Sequence, residues 1–186
     1  MRVGNIDPWP MDSSAALTRK MQMASLPSTS GHGRAPTTGF VPQEYLGQLD
    51  PADRVERWRR ILHTTDWSRG GVMVALAGAH VVGFIAFGPT RDADDNPEQV
   101  GQVQSIYLLP DVWGKGLGRQ LMAAAIEHLS LAGYAQATLW VLQSNDRARL
   151  FYAKNGWAED GAVQLDDSRG FPLTEVRYRR LLPGTF

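Results

Sequence analysis

The stretch Gln102–Arg119, QVQSIYLLPDVWGKGLGR, decides the reading of the chain. It reads as a strand, a sharp turn at Pro110-Asp111, and a loop carrying Gly114, Gly116 and Gly118. Beyond the loop the apolar residues Leu117, Leu121, Met122, Ala125, Ile126 and Leu129 recur with helical period, and Gly133 supplies a stop. A strand that feeds a glycine loop opening a helix is suited to hold a phosphate. The first turn of a helix leaves backbone N–H groups unpaired and carries partial positive charge. Glycine lets that backbone approach an anion with no Cβ in the way.

Spacing separates the kinds of phosphate loop. A P-loop would read GxxxxGK[ST], and no Lys-Ser or Lys-Thr follows these glycines. A dinucleotide fold would read GxGxxG, whereas the glycines here run GxGxG. Trp113-Gly114-Lys115-Gly116-Leu117-Gly118 instead resembles the central motif of the GCN5-related N-acetyltransferase (GNAT) family, [QR]-x-x-G-x-[GA], with Trp113 standing where Gln or Arg is usual. A second signature of that family, N-x-x-A-x-x-F-Y-x-x-x-G-[FW], is matched downstream by Asn145, Ala148, Phe151, Tyr152, Gly156 and Trp157. The resemblance is clear from Gly71 to Trp157 and poor over residues 1–39. It implies an α/β (α+β) fold with a central, mostly antiparallel mixed sheet flanked by helices. Its two middle strands would splay apart to admit acetyl-CoA. The expected organisation is one domain over residues 1–186.

Composition bounds the alternatives. At 186 residues the chain can bury one sizeable core, and 43% hydrophobic with 20% charged residues is ordinary for a soluble globular protein. A formal net charge of zero implies no nucleic-acid partner. The absence of cysteine excludes disulfides, thiolate metal sites and a cysteine nucleophile. No basic segment followed by an apolar core opens the chain, so no signal peptide is expected, and the expected location is cytoplasmic. The apolar run Gly71–Gly88 approaches the length of a membrane span. Its glycines, its β-branched residues and the break at Ala77-Gly78-Ala79-His80 favour a two-strand hairpin instead.

Taken in order, the chain predicts a short strand at Arg2–Ile6, a helix from Asp12 or Ser13 to about Ser25, and a Pro/Ser/Gly-rich loop to Gly39. Two helices follow between Phe40 and Thr65, the second capped by Asp50; its arginines are interleaved with Asp53 and Glu56 and read as a solvated face. Strands are expected at Val72–Ala77, His80–Phe87 and Gln99–Leu109. The segment Arg91–Glu98, RDADDNPE, reads as an exposed acidic turn without the spacing of a calcium loop, and no metal is expected. Ala135–Leu142 reads as a buried strand, Asn145 or Asp146 as a helix start, and Asn155-Gly156 as its end. Strands at Trp157–Leu165 and Leu173–Leu181 complete the chain.

The resemblance assigns chemistry residue by residue. The backbone of Gly114, Lys115, Gly116, Leu117, Gly118 and Arg119 would bind the pyrophosphate of acetyl-CoA, with Lys115 and Arg119 adding charge. The backbone of Ile106, Tyr107 and Leu108 would pair with the amides of the pantetheine arm as a further strand would. Asn145 would contact the cofactor, its other reading being a plain helix cap. Tyr152 would protonate the departing thiolate, its other reading being a core aromatic. Many relatives carry a glutamate base on the strand before the glycine loop or on the next strand; Gln102 and Trp140 stand at those positions here. Glu44, His80, Glu98 or a water chain remain as substitutes, and His63 and His128 read as helix-surface residues.

The leading function is therefore N-acetylation of a small-molecule or peptide amine by direct attack in a ternary complex. A non-catalytic acyl-CoA-binding module of the same fold is the alternative. A nucleotide-binding protein is a third class, disfavoured because no acidic ribose partner follows the glycines at the usual interval. The expected partners are acetyl-CoA and an amine, with no nucleic acid and no membrane; a homodimer is left open.

Overall fold

A computed structural model describes Arg2–Asn5, His63, residues 66–167 and residues 172–184. Seven strands form one sheet: β1 (Arg2–Asn5), β2 (Gly71–Ala77), β3 (His80–Pro89), β4 (Val100–Leu108), β5 (Gln136–Leu142), β6 (Ala158–Asp166) and β7 (Leu173–Leu181). Their spatial order is β1-β2-β3-β4-β5-β7-β6. Two described helices, α1 (Leu117–Leu131) and α2 (Asp146–Lys154), follow β4 and β5. The helices expected between Asp12 and Thr65 lie outside the described residues, apart from His63, which is helical and exposed.

The apolar run Gly71–Gly88 is a hairpin, as its composition predicts, and no described helix is long and apolar enough to cross a membrane. Every strand pairing is antiparallel except β4 with β5. A parallel neighbour requires a crossover, and α1 provides it. All six apolar residues expected on one face of α1 are buried, and they pack with Ile85, Phe87, Val103, Ala137, Leu139, Val141, Val176 and Tyr178 from the sheet. The other face of β2 and β3 holds a second cluster around Val72, Val74, Val81, Phe84 and Ala86. Strand side chains alternate between faces. Thus Gln102, Thr138, Trp140, Arg177 and Arg179, whose strand neighbours join the α1 cluster, lie on the face away from α1.

The β4–β5 ladder is short. It runs from Val100↔Gln136 to Val103↔Leu139 and stops, although the strands continue to Leu108 and Leu142. On the other edge of β4 the register slips: Ala86 pairs with Ser105 but Phe87 pairs with Val103, leaving Gln104 with no opposite residue. Such a bulge bends and twists the strand that carries it. The bend falls just past the last β4–β5 rung, where the two strands part.

Three expectations are corrected. β5 begins at Gln136 and is only partly buried, with Gln136, Trp140 and Leu142 half-exposed because α1 covers one face alone. Trp157 is buried ahead of the last hairpin, and β6 is a largely exposed edge strand. His128 is not a plain surface residue: its ring stands edge-on to Phe87 at 5.2 Å, with Nε2 buried and unpaired among the described residues.

Candidate active site

The glycine loop has the form the spacing predicts. Gly114 and Gly116 adopt φ of 74° and 81°, the left-handed region in which L-residues are strained. Gly116 is the N-cap of α1 and offers no side-chain cap. The first helical bond runs from Gln120 N–H to the Gly116 carbonyl at 3.1 Å; the N–H groups of residues 114–119 have no acceptor among the described residues. No acidic residue stands in the first turn. Lys115 and Arg119 are exposed and make no ion pair among the described residues. Gly118 serves packing: a Cβ there would meet Leu108 Cδ1 at 3.1 Å and Phe151 at 3.4 Å. The two sequence signatures thus touch, one on each helix.

Trp113 adds a contact that spacing did not foretell. Its indole Nε1–H donates to the Leu108 carbonyl at 2.9 Å, tying the loop to the end of β4. Its ring carries the Arg147 guanidinium at 3.8 Å, in the first turn of α2. Arg147, absent from the sequence-based site, is therefore a third cation beside the loop. The signal for it was only that Arg147 follows Asn145 by two positions. Ile106, Tyr107 and Leu108 pair with Ile85, Phe84 and Gly83 of β3, and past Val103 their other edge has no strand partner among the described residues. One acceptor position of the Leu108 carbonyl is taken by Trp113.

On the α1 side of the sheet, Asn145 caps α2, its Oδ1 accepting from the Ala148 N–H at 3.1 Å. One acceptor position of its side-chain oxygen is thus taken by the helix, leaving Nδ2 and the second lone pair of Oδ1 to meet a ligand. Tyr152 is buried against Phe151 and Tyr178, with ring centroids 5.4 and 6.0 Å apart. Tyr178 pairs with Leu139, which forms the last β4–β5 rung, so Tyr152 packs on the residue next to the vertex of the split. The Tyr178 hydroxyl is committed to Glu159 at 2.7 Å, whereas the Tyr152 hydroxyl has no partner among the described residues. Burial pushes the Tyr152 phenol up to about 12, which keeps it protonated at neutral pH.

The opposite face of the vertex holds a network that the sequence did not reveal. Asp92 is not part of an exposed turn: its side chain is 10% exposed and lies on the sheet. Its Oδ1 accepts from Gln102 Nε2 at 3.1 Å and from Trp140 Nε1 at 2.9 Å. Its Oδ2 lies 3.3 Å from Arg177 Nη1 and 3.5 Å from Thr138 Oγ1. The two strand positions that lack a carboxylate both point at one borrowed from the β3–β4 loop. Arg177 also grips Asp94 with both terminal nitrogens at 2.8 Å and Asp160 with Nε at 2.8 Å, while Arg179 bonds Asp95 and Asp160. Asp92, Asp94 and Asp95 stand close enough to share a metal ion, but the Arg177 guanidinium already sits among them and supplies the positive charge.

Of the bases considered from sequence, His80 is exposed at the start of β3, and Glu98 is exposed and paired with Arg69. Glu44 lies outside the described residues.

The family model described as Acetyltransferase (GNAT) family matches residues 41–157. An uncharacterised N-acetyltransferase of Archaeoglobus fulgidus is 36% identical over 85 residues, covering 46% of this chain and 58% of that protein. The uncharacterised N-acetyltransferase YuaI of Bacillus subtilis is 30% identical over 124 residues, 65% of this chain and 67% of its own. The yncA structure from Salmonella typhimurium, solved with its cofactor acetyl-CoA, superposes with a TM-score of 0.65 at 18% identity, covering 100% of this chain and 96% of that one. With the family model spanning most of the chain, the seven-stranded split sheet and the glycine loop at its mouth, the protein belongs to the GNAT acetyltransferase family.

Proposed function

We propose that the protein transfers the acetyl group of acetyl-CoA to a primary amine of a small molecule or peptide, by direct attack in a ternary complex. The observation that carries the reading is the run of N–H groups at residues 114–119 that have no acceptor among the described residues, beside the end of β4 where the β4–β5 split opens. Bound acetyl-CoA supplies an activated thioester carbonyl. Gly114, Lys115, Gly116, Leu117, Gly118 and Arg119 hold its pyrophosphate by backbone N–H bonds, and Lys115, Arg119 and Arg147 neutralise its charge. The free edge of β4 at Ile106, Tyr107 and Leu108 receives the pantetheine amides, and Asn145 contributes its Nδ2. Tyr152, protonated and unpaired, donates to the departing sulfur. With no cysteine in the chain, an acyl-thiol enzyme is excluded and the amine attacks the thioester itself. We assign residues 1–186 to one cytoplasmic domain.

The test is a thermal-shift titration with coenzyme A followed by thiol release from acetyl-CoA across a panel of amines. A ligand bound only to the folded state raises Tm as RT ln(1 + [L]/Kd). No shift at millimolar coenzyme A would overturn the reading; a shift without thiol release for any amine would instead support a non-catalytic acyl-CoA module.

A further inference from the structure

We infer that the Asp92 carboxylate receives the acceptor as its ammonium and takes its proton; the inference rests on the acetyltransferase reading above. The amine must lose a proton before its nitrogen can attack, and the attack has to occur where β4 and β5 part. Tyr152 packs beside that vertex from the α1 side. From the other side, Gln102 and Trp140 flank the last rung, and neither an amide nor an indole can take a proton from an ammonium. The acceptor-only group there is Asp92, fixed in place by those same two side chains.

The neighbouring acids are less available. Asp94 has both oxygens on Arg177 at 2.8 Å. Asp95 bonds Arg179 at 2.9 Å and Asp160 bonds Arg177 and Arg179 at 2.8 and 3.0 Å. Asp92 Oδ1 is held by two neutral donors, while the contacts of Oδ2, to Arg177 at 3.3 Å and Thr138 at 3.5 Å, lie at the outer edge of hydrogen-bond range. Oδ2 therefore keeps acceptor capacity. The charged groups facing Asp92 are Arg177 and Arg179 of β7, Asp94 and Asp95 of its own loop, and Asp160 of β6. With Asp92 that makes four carboxylates against two guanidinium groups, an excess of negative charge that favours an incoming cation. Shielding of Asp92 from water strengthens the attraction.

The proton balance closes. The ammonium gives one proton to Asp92 and the free amine attacks the thioester carbon. The C–N bond forms and the C–S bond breaks, Tyr152 protonates the departing sulfur, and the second proton of the nitrogen restores the Tyr152 hydroxyl. One proton ends on sulfur, delivered by Tyr152, and the other leaves Asp92 for water. The products are the amide, the thiol and one proton in solution.

The experiment measures kcat/KM against pH for putrescine, tyramine and an unblocked alanine tripeptide. The proteins are the wild type, Asp92→Asn, and the swap Gln102→Glu/Asp92→Asn, which moves the carboxylate from loop to strand. Coenzyme A thermal shifts and wild-type turnover report on the acetyltransferase reading and are scored separately. Asp92→Asn should lower kcat/KM by about 100-fold or more and move its low-pH limb upward, because the free amine in solution then becomes the reactant. The coenzyme A shift should persist. The swap should recover at least about tenfold of the loss, since a charge at the vertex, whichever strand or loop carries it, is what the role requires. The inference is overturned if Asp92→Asn keeps the wild-type rate and limb. It is also overturned if the swap, folded and shifted by coenzyme A, is no faster than the single variant. Should Asp92→Asn not fold, the swap is read against wild type: a folded, coenzyme A-shifted swap within about tenfold of the wild-type kcat/KM supports the inference, and a larger loss overturns it.

Discussion

At the glycine loop, Lys115 and Arg119 are exposed and have no ion-pair partner among the described residues, and the backbone N–H groups around them are unpaired. At the vertex of the β4–β5 split, by contrast, Arg177 is 7% exposed and bonded to four carboxylates, those of Asp92, Asp94, Asp95 and Asp160. The loop presents donors and cations with no acceptor among the described residues, as the proposed pyrophosphate site requires. The vertex holds counter-charges of its own, with acidic groups in excess, before any ligand arrives, an arrangement that suits a preorganised site for a cation. Substitutions at the loop should therefore change binding while leaving the fold alone. Substitutions at the vertex should change stability or turnover while leaving coenzyme A binding in place.

The largest expected effect falls between these regions. Tyr152→Phe keeps the ring and its packing and removes only the hydroxyl. The chemical step should slow by about 10²–10⁴-fold while coenzyme A affinity stays within about twofold. Single-turnover kinetics beside a binding titration would show it, and an unchanged chemical step would remove Tyr152 from the mechanism.

The vertex comes next. Arg177→Ala strands Asp92, Asp94, Asp95 and Asp160 without their common partner, and stripping one member from a buried ion network costs about 3 kcal/mol or more. Chemical denaturation should show that loss, with the coenzyme A thermal shift surviving in the folded fraction. The same network sets a pH response. The Arg177 guanidinium beside Asp94 holds its carboxyl below the usual range. For Asp160, burial pushes upward, but the Ala162 N–H, Arg179 and Arg177 together bring it below the usual value. Folded-state values depressed in this way contribute stability that is present above about pH 4, the unfolded carboxylate value, and is lost as pH falls through the folded values. Tm should hold above that point and fall below it. In Arg177→Ala the acid drop should be shallower, and a drop as steep as wild type would assign it to other carboxylates.

The smallest effect tests the loop. Arg147→Ala removes the cation lying on Trp113, an exposed contact worth about 0.5–1 kcal/mol. Coenzyme A should bind roughly two- to fivefold more weakly and with a gentler salt dependence, while Tm without ligand changes little. A larger loss of stability than of affinity would make the Trp113–Arg147 stack a structural clamp and erase the contrast between the two regions.

The sequence by itself determined the parts in which neighbouring residues act together. The hairpin Gly71–Gly88, the buried face of α1, the Asn145 cap, the left-handed Gly156 and the β7 bounds were legible because each depends on local period or local backbone conformation. The glycine loop was legible for the same reason: its left-handed glycines and its contiguous backbone amides are set by neighbouring residues. What only the tertiary structure decided is the vertex. Asp92, Gln102, Trp140 and Arg177 come from a loop and three strands, and no spacing along the chain announces that they meet. RDADDNPE has the composition of an exposed turn, and the strand positions hold residues that cannot accept a proton. Only pairing β5 between β4 and β7, which is set by burial of the α1 cluster over the whole sheet, brings an indole, an amide and a guanidinium onto one carboxylate. Local rules describe groups that touch because they are adjacent in the chain; this site exists because distant strands are packed side by side.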